Sequence, residues 1–335
     1  MSRSSVRFRQ VALTILGLPG WREYKQVQGM KRNSIILFLL LALAVQAADS
    51  PGTTGFQFLK TQVGGRAAGM GGAFLAVGND VNAIYYNPGA VATVPTRSAS
   101  FTYLKHVLDF NYGFIGFVQP HLGPGHLGVG LTYMDYGNFK KTDQNGDVLG
   151  NFSANSICLA AVYALQPVTN LSLGVSAKYI RATIDTYAAD AVAVDAGAMY
   201  VFPKPMLTLA AGVFNAGQPV SAFINTRDDL PMCFRVGLSK RLEHLPLLLS
   251  LVGYQYRNEK WHGVLGGEFT LTPQAFLRLG YDNIGQDLQV GGNKDRFAGA
   301  SLGLGFLWRT VQLDYAFSSM GEIGSLNRFS ISSSF

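Results

Sequence analysis

From Ser98 to the C-terminus the dominant spacing of apolar residues is two. In residues 127–134, Leu127, Val129, Leu131 and Tyr133 alternate with Gly128, Gly130, Thr132 and Met134. Leu171, Leu173, Val175, Ala177 and Tyr179 alternate with Ser172, Gly174, Ser176 and Lys178. Ala298, Ala300, Leu302, Leu304, Phe306 and Trp308 oppose Gly299, Ser301, Gly303 and Gly305, and Val311, Leu313, Tyr315 and Phe317 oppose Gln312, Asp314, Ala316 and Ser318. Period two is the signature of a strand with unlike faces. Here one face is large and apolar, and the other is small or polar.

A soluble sandwich alternates in the same way, so strand length and punctuation must separate the two. Stretches of about 9–12 residues fit a tilted strand crossing a bilayer better than the common 5–6. Aromatics recur at the ends of the apolar stripes (Tyr133, Tyr163, Tyr179, Tyr200, Trp261, Tyr281, Trp308, Tyr315), where interfacial girdles place them. Short connections (residues 120–125, 166–170, 203–206, 240–246, 272–274, 308–310) alternate with others, several of them much longer (107–110, 136–150, 184–190, 215–230, 257–260, 283–295, 319–326). These spacings predict an all-β fold, a transmembrane antiparallel β-barrel of about 14 strands over residues 98–335, with both termini periplasmic. The last stretch, 327–335, places Phe329, Ile331 and Phe335 on one face, in the form of a C-terminal signal read by barrel-assembly machinery.

Residues 1–47 form the expected leader. Lys31-Arg32, the apolar run 35–45 and Val45-Gln46-Ala47 supply the three parts of a cleavable signal peptide with its core at 30–47. Met30 stands directly before the basic pair, so residues 1–29 are expected to precede the true start. That run of 11 is too short to span a bilayer as a helix.

The 335 residues carry 27 Lys+Arg against 20 Asp+Glu, a formal charge of +7. Seven of the basic residues and one acid fall within 1–48, which leaves 20 basic and 19 acidic residues beyond. The positive balance therefore belongs to the leader and gives no reason to expect nucleic acid. Glycine, at 39 residues, is about 12% against an average near 7%, and 14% charged is well below the usual quarter. Two cysteines cannot build a disulfide framework.

Strand parity turns Lys178, Asp195, Arg235, Glu268, Arg278, Asp282 and Asp314 toward the lumen, where an ionic network is expected, since the lipid face costs about 2–4 kcal/mol per Lys or Arg at mid-depth. Cys158 and Cys233 point inward on strands about four apart, which favours packing over a disulfide. His106, His121, His126, His244 and His262 lie near no nucleophile motif and in no metal-binding spacing, so catalysis, metal and cofactor are not expected.

Residues 48–97 lack the alternation and read as an N-terminal hatch. A phosphate-cradling loop at Gly64–Ala73 is disfavoured because no Lys-Ser/Thr pair follows. Residues 80–86 can form a short helix that stops before Pro88, with Asn87 capping a second turn.

Gly65-Arg66-Ala67-Ala68-Gly69-Met70-Gly71-Gly72-Ala73, then Asn79-Asp80, then Tyr86-Asn87-Pro88-Gly89 resembles the N-terminal signature of the PorV/PorQ family, which is related to the FadL outer-membrane transporters. Residues 277–281, 313–317 and 328–332 add weaker matches, so the resemblance spans nearly the whole mature chain. It implies a monomeric barrel in bacterial outer-membrane lipid, closed by a hatch in which Gly65, Arg66, Gly69, Met70, Gly71, Asn79, Asp80, Asn87 and Pro88 are the structural or gating residues. It implies, first, a carrier that binds or shuttles exported proteins in a type IX-like secretion pathway. The alternative is a FadL-like passive transporter of long-chain fatty acids or other hydrophobic small molecules.

Overall fold

The computed structural model describes residues 54–106 and 110–335. The expected leader, with its proposed start, and residues 48–53 of the expected hatch lie outside the described residues. Fourteen strands follow the hatch: β1 Ser98–Lys105, β2 Asn111–Leu122, β3 Gly125–Thr142, β4 Val148–Val168, β5 Leu171–Ile184, β6 Tyr187–Phe202 and β7 Leu207–Pro219. The second half holds β8 Cys233–Arg241, β9 Leu247–Tyr256, β10 Trp261–Thr272, β11 Ala275–Asp282, β12 Ala300–Trp308, β13 Val311–Ser319 and β14 Ser325–Ser334. Each pairs antiparallel with its chain neighbours, and β1 closes on β14 in a register from Ser98↔Ser334 to Lys105↔Asn327. The fold is a transmembrane antiparallel β-barrel whose ring of strand pairings closes, the one strand arrangement that satisfies every backbone group in hydrocarbon.

One end of the barrel, the turn end, carries the short connections. The other, the loop end, carries the long ones. Two of the expected long loops are instead mostly strand. Pairing of β3 with β4 runs on to Thr142↔Val148, and that of β5 with β6 to Ile184↔Tyr187. The sequence hides this because a hairpin above the bilayer has water on both faces and loses its apolar alternation. β2 has its last partner on β3 at Asn111↔Asp135, so the β3–β4 hairpin rises free above its neighbour. The wall β3–β6 is therefore tall, at 14–21 residues per strand, against 8–10 in β8, β9 and β11–β14.

Over the low wall, the β11–β12 connection folds into 3-10 turns at Asn283–Leu288 and Asn293–Phe297, and β13–β14 into one at Gly321–Ile323. Asp295 ties them together. Its carboxylate accepts the N–H of Val290, Gly291, Gly292 and, from the second connection, Glu322. These donors, with Glu322 foremost, hold Asp295 below the usual carboxylate range.

The outward face is apolar: Leu302, Leu304 and Phe306 are exposed toward lipid while Gly303 and Gly305 between them face the lumen. The small inward face admits the hatch, which fills the barrel and forms one apolar core with it. A Cβ on Gly69 would stand 2.8 Å from the Cα of Gly303, so hatch and wall meet backbone to backbone.

Two outcomes follow from this architecture. Leu304→Arg, at mid-strand on the lipid face, should lower the stability of the barrel in vesicles by about 2–4 kcal/mol, read from denaturant unfolding. Because the pKa of Asp295 is depressed in the fold, its contribution is present above the unfolded value and lost as pH falls through the folded one. Hydrogen exchange in residues 283–299 should therefore accelerate on acidification while the strand amides stay protected.

Candidate functional site

The hatch crosses the whole lumen. Its first described segment lies at the loop end, where the Gly55 N–H donates to the Asp229 carbonyl and Lys60 Nζ pairs with Glu259 at 2.6 Å. Lys60 also sits 4.4 Å from the Tyr256 ring centroid. Residues 59–63 are clamped through their carbonyls: Tyr85 Oη donates to Leu59 at 2.9 Å, Tyr112 Oη to Thr61 at 3.2 Å, Arg328 Nε to Gln62 at 3.2 Å and Tyr86 Oη to Val63 at 2.8 Å.

Below this strap comes α1, Gly65–Gly69, whose glycines and alanines are small enough to lie on β11–β14. The Gly65 N–H donates to Ser330 Oγ at 2.9 Å. Arg66 makes the main polar contact. Its Nε and Nη2 take both oxygens of Glu268, at 2.8 and 2.7 Å, and its Nη1 reaches Asp80 at 3.1 Å. Arg278 Nε shares the same Glu268 at 2.7 Å, and its Nη1 reaches Asp314 at 2.6 Å. Two guanidiniums and three carboxylates thus link hatch to wall. The bidentate fork on Glu268 fixes orientation as well as distance. Gln312 donates to both oxygens of Asp314, and Asn82 donates twice to Asp80.

Met70 is fully buried, and Gly71, with φ of 68°, turns the chain against the backbone of Gly280 and Tyr281. Asn79, with φ of 58°, donates its N–H to Thr93 Oγ1. The helix α2, Ala83–Tyr86, ends before Asn87, whose Oδ1 accepts the Gly89 N–H at 3.0 Å and caps a 3-10 turn that starts at Pro88. The Asn87 Nδ2 holds the Leu75 carbonyl at 2.9 Å, so one amide fixes two hatch segments. Gly174 and Gly197 on the wall leave room for Asn87 and Pro88.

The remaining inward charges form separate groups. Lys178 pairs with Asp195 at 2.6 Å and donates to Asn215 at 2.9 Å, beside a bulge where β7 carries one residue more than β6. Asp282 accepts from Tyr254 Oη and the Ile284 N–H. Arg235 donates to Cys233 Sγ at 3.5 Å and lies over the rings of Phe214 and Tyr85. Cys158 and Cys233 are free thiols. Phe329, Ile331 and Phe335 project outward, and the Phe335 N–H donates to the Arg97 carbonyl.

The sequence reading misses the tyrosine clamp, Arg328 and the Lys60–Glu259 pair. Arg328 stands at inward parity beside the outward Phe329, and that signal could have found it. Tyr85, Tyr86 and Lys60 lie in a segment without periodicity, where nothing local shows their partners.

Glu268→Gln removes the carboxylate shared by the fully buried Arg278 guanidinium and the partly buried Arg66 guanidinium, a change of the kind that costs about 3–5 kcal/mol. The expected outcome is a hatch that proteases cut in an intact barrel, with the heat-modifiable gel shift retained.

The chain is similar to several proteins of known structure. Residues 41–178 match the model of an uncharacterised protein family, UPF0164, and no curated protein matches the sequence. A FadL homologue of Pseudomonas aeruginosa superposes with a TM-score of 0.52 at 15% identity, over 87% of this chain and 99% of its own. The toluene transporter TbuX of Ralstonia pickettii gives 0.55 at 13%, over 82% and 98%. The monoaromatic hydrocarbon channel CymD gives 0.57 at 13%, over 82% and 97%. At these identities the likeness is one of architecture: the chain has the fold of the FadL-type barrels.

Proposed function

We propose that the protein is a non-enzymatic channel of the bacterial outer membrane that admits hydrophobic compounds, closed here by its hatch. The carrying observation is the nature of the surface the hatch covers. Phe114, Val118, Val162, Ile180, Met199 and Phe214 are buried on the inner wall against the hatch residues Phe74, Leu75, Ile84 and Val91. A porin lumen is polar and wet; a lumen lined like this one, once vacated, offers apolar cargo a favourable path and hydrated ions a poor one. The FadL-type architecture supports the same reading, with the turn end facing the periplasm. The polar contacts of the hatch then act as latches, few enough to break without unpairing any strand.

The carrier reading keeps one observation in its favour. The projecting β3–β4 hairpin exposes Val148 and Leu149, at 62% and 65%, and stacks Phe139 on Phe152, a surface an exported protein could grip.

The test is uptake of radiolabelled toluene and of a long-chain carboxylate by cells producing the full chain. A second strain carries Gly280→Ala, whose Cβ would collide with the backbone of Met70 and Gly71 and unseat the hatch. Uptake should exceed that of vector controls and rise further in the variant. Equal uptake in all three strains, with heat-modifiable barrel present in the outer-membrane fraction, overturns the channel. Co-purification of exported proteins alone would then favour the carrier.

A further inference from the structure

The hairpin β2–β3 reverses at the turn end through Gly123, with φ of 62°, and Pro124. The strand β4 braces it: Tyr163 Oη donates to the Leu122 carbonyl at 3.4 Å, and the Ala164 carbonyl leaves no room for a Cβ on Gly125. His121 and His126 stand on either side of this turn. Their spacing matches no helical metal motif, but the hairpin folds one ring back beside the other. His121 adopts φ of 57°, in the left-handed region that few side chains enter. Its ring centroid lies 5.4 Å from that of His126, with the planes inclined by 47°.

Two imidazoles on one tetrahedral zinc ion, at Zn–N of about 2.0–2.1 Å, hold their centroids about 5 Å apart. Adjacent ligands on a square-planar ion would stand closer, at about 4.5 Å. The Nδ1 of His126 is buried and has no hydrogen-bond partner among the described residues, a state uncommon enough in folded proteins to call for a ligand. His121 is exposed, so its ring can swing to share an ion. Neighbouring imidazoles oppose each other's protonation, which favours the neutral form that binds metal. We propose that His121 and His126 form a zinc site that staples β2 to β3 at the turn end. No third His, Cys, Asp or Glu joins the pair among the described residues, so water completes the shell and the ion exchanges freely. The proposal does not depend on what the barrel admits.

Calorimetric titration of zinc chloride into the full chain in phosphatidylcholine nanodiscs tests it, at about pH 7.5, where both rings are neutral. The expected result is saturable binding of one ion per chain. His121→Gln and His126→Gln should each weaken it by at least the roughly tenfold that even an outer-shell partner costs. His244→Gln, on the β8–β9 turn of the same end, should leave the affinity unchanged. In the wild-type chain alone, zinc should slow hydrogen exchange over residues 119–128, which locates the ion even if a variant fails to close its barrel. Binding without saturation, equal affinity in the wild-type and His121→Gln chains, or protection confined to other residues overturns the site.

Discussion

A peptide group in hydrocarbon has no water to bond, and this constraint shapes the whole molecule. It forces the fourteen strands to close on themselves, with β1 against β14, because an open edge in the bilayer would leave a row of unpaired N–H and C=O groups. Closure then creates an interior that must be filled or flooded. The sequence fills it. Small residues on the inner face, among them Gly174, Gly197, Gly280 and Gly303, let a second length of backbone lie against the wall.

The filler is held in two ways. Apolar packing supplies contact area without direction, while the Arg66–Glu268–Arg278–Asp314 chain supplies direction. Buried ion pairs contribute little net stability once desolvation is counted, but breaking one partner is costly. Such a network suits a part that must occupy one position or leave it, with few stable placements between. The tyrosine clamp differs, because it grips main-chain carbonyls and is indifferent to the side chains of residues 59–63.

The barrel was legible because a membrane strand repeats every two residues and its turns are marked by Pro, Gly and Asn. Parity even placed Lys178 and Asp195, which meet across β5 and β6. Reading failed where the environment stops being two-sided: Asn138, Phe139, Lys140 and Lys141 look like loop and are strand. It failed again where partners are far apart in sequence, as with Arg328 and Gln62, separated by 266 positions. The Asn87-Pro88 cap could be read because its chemistry is complete within three residues.

The strap through the lumen also constrains how the molecule can be made. Residues 55–60 lie at the loop end, yet the same chain enters β1 from the turn end and β14 is synthesised last. Laying the strap on a curled, still open sheet needs no clearance. Drawing it through a finished ring would require Tyr112, Arg328 and their neighbours to part. The side chains that must part for the strap to move, Tyr112 and Arg328, are also the ones that hold it, through the carbonyls of Thr61 and Gln62.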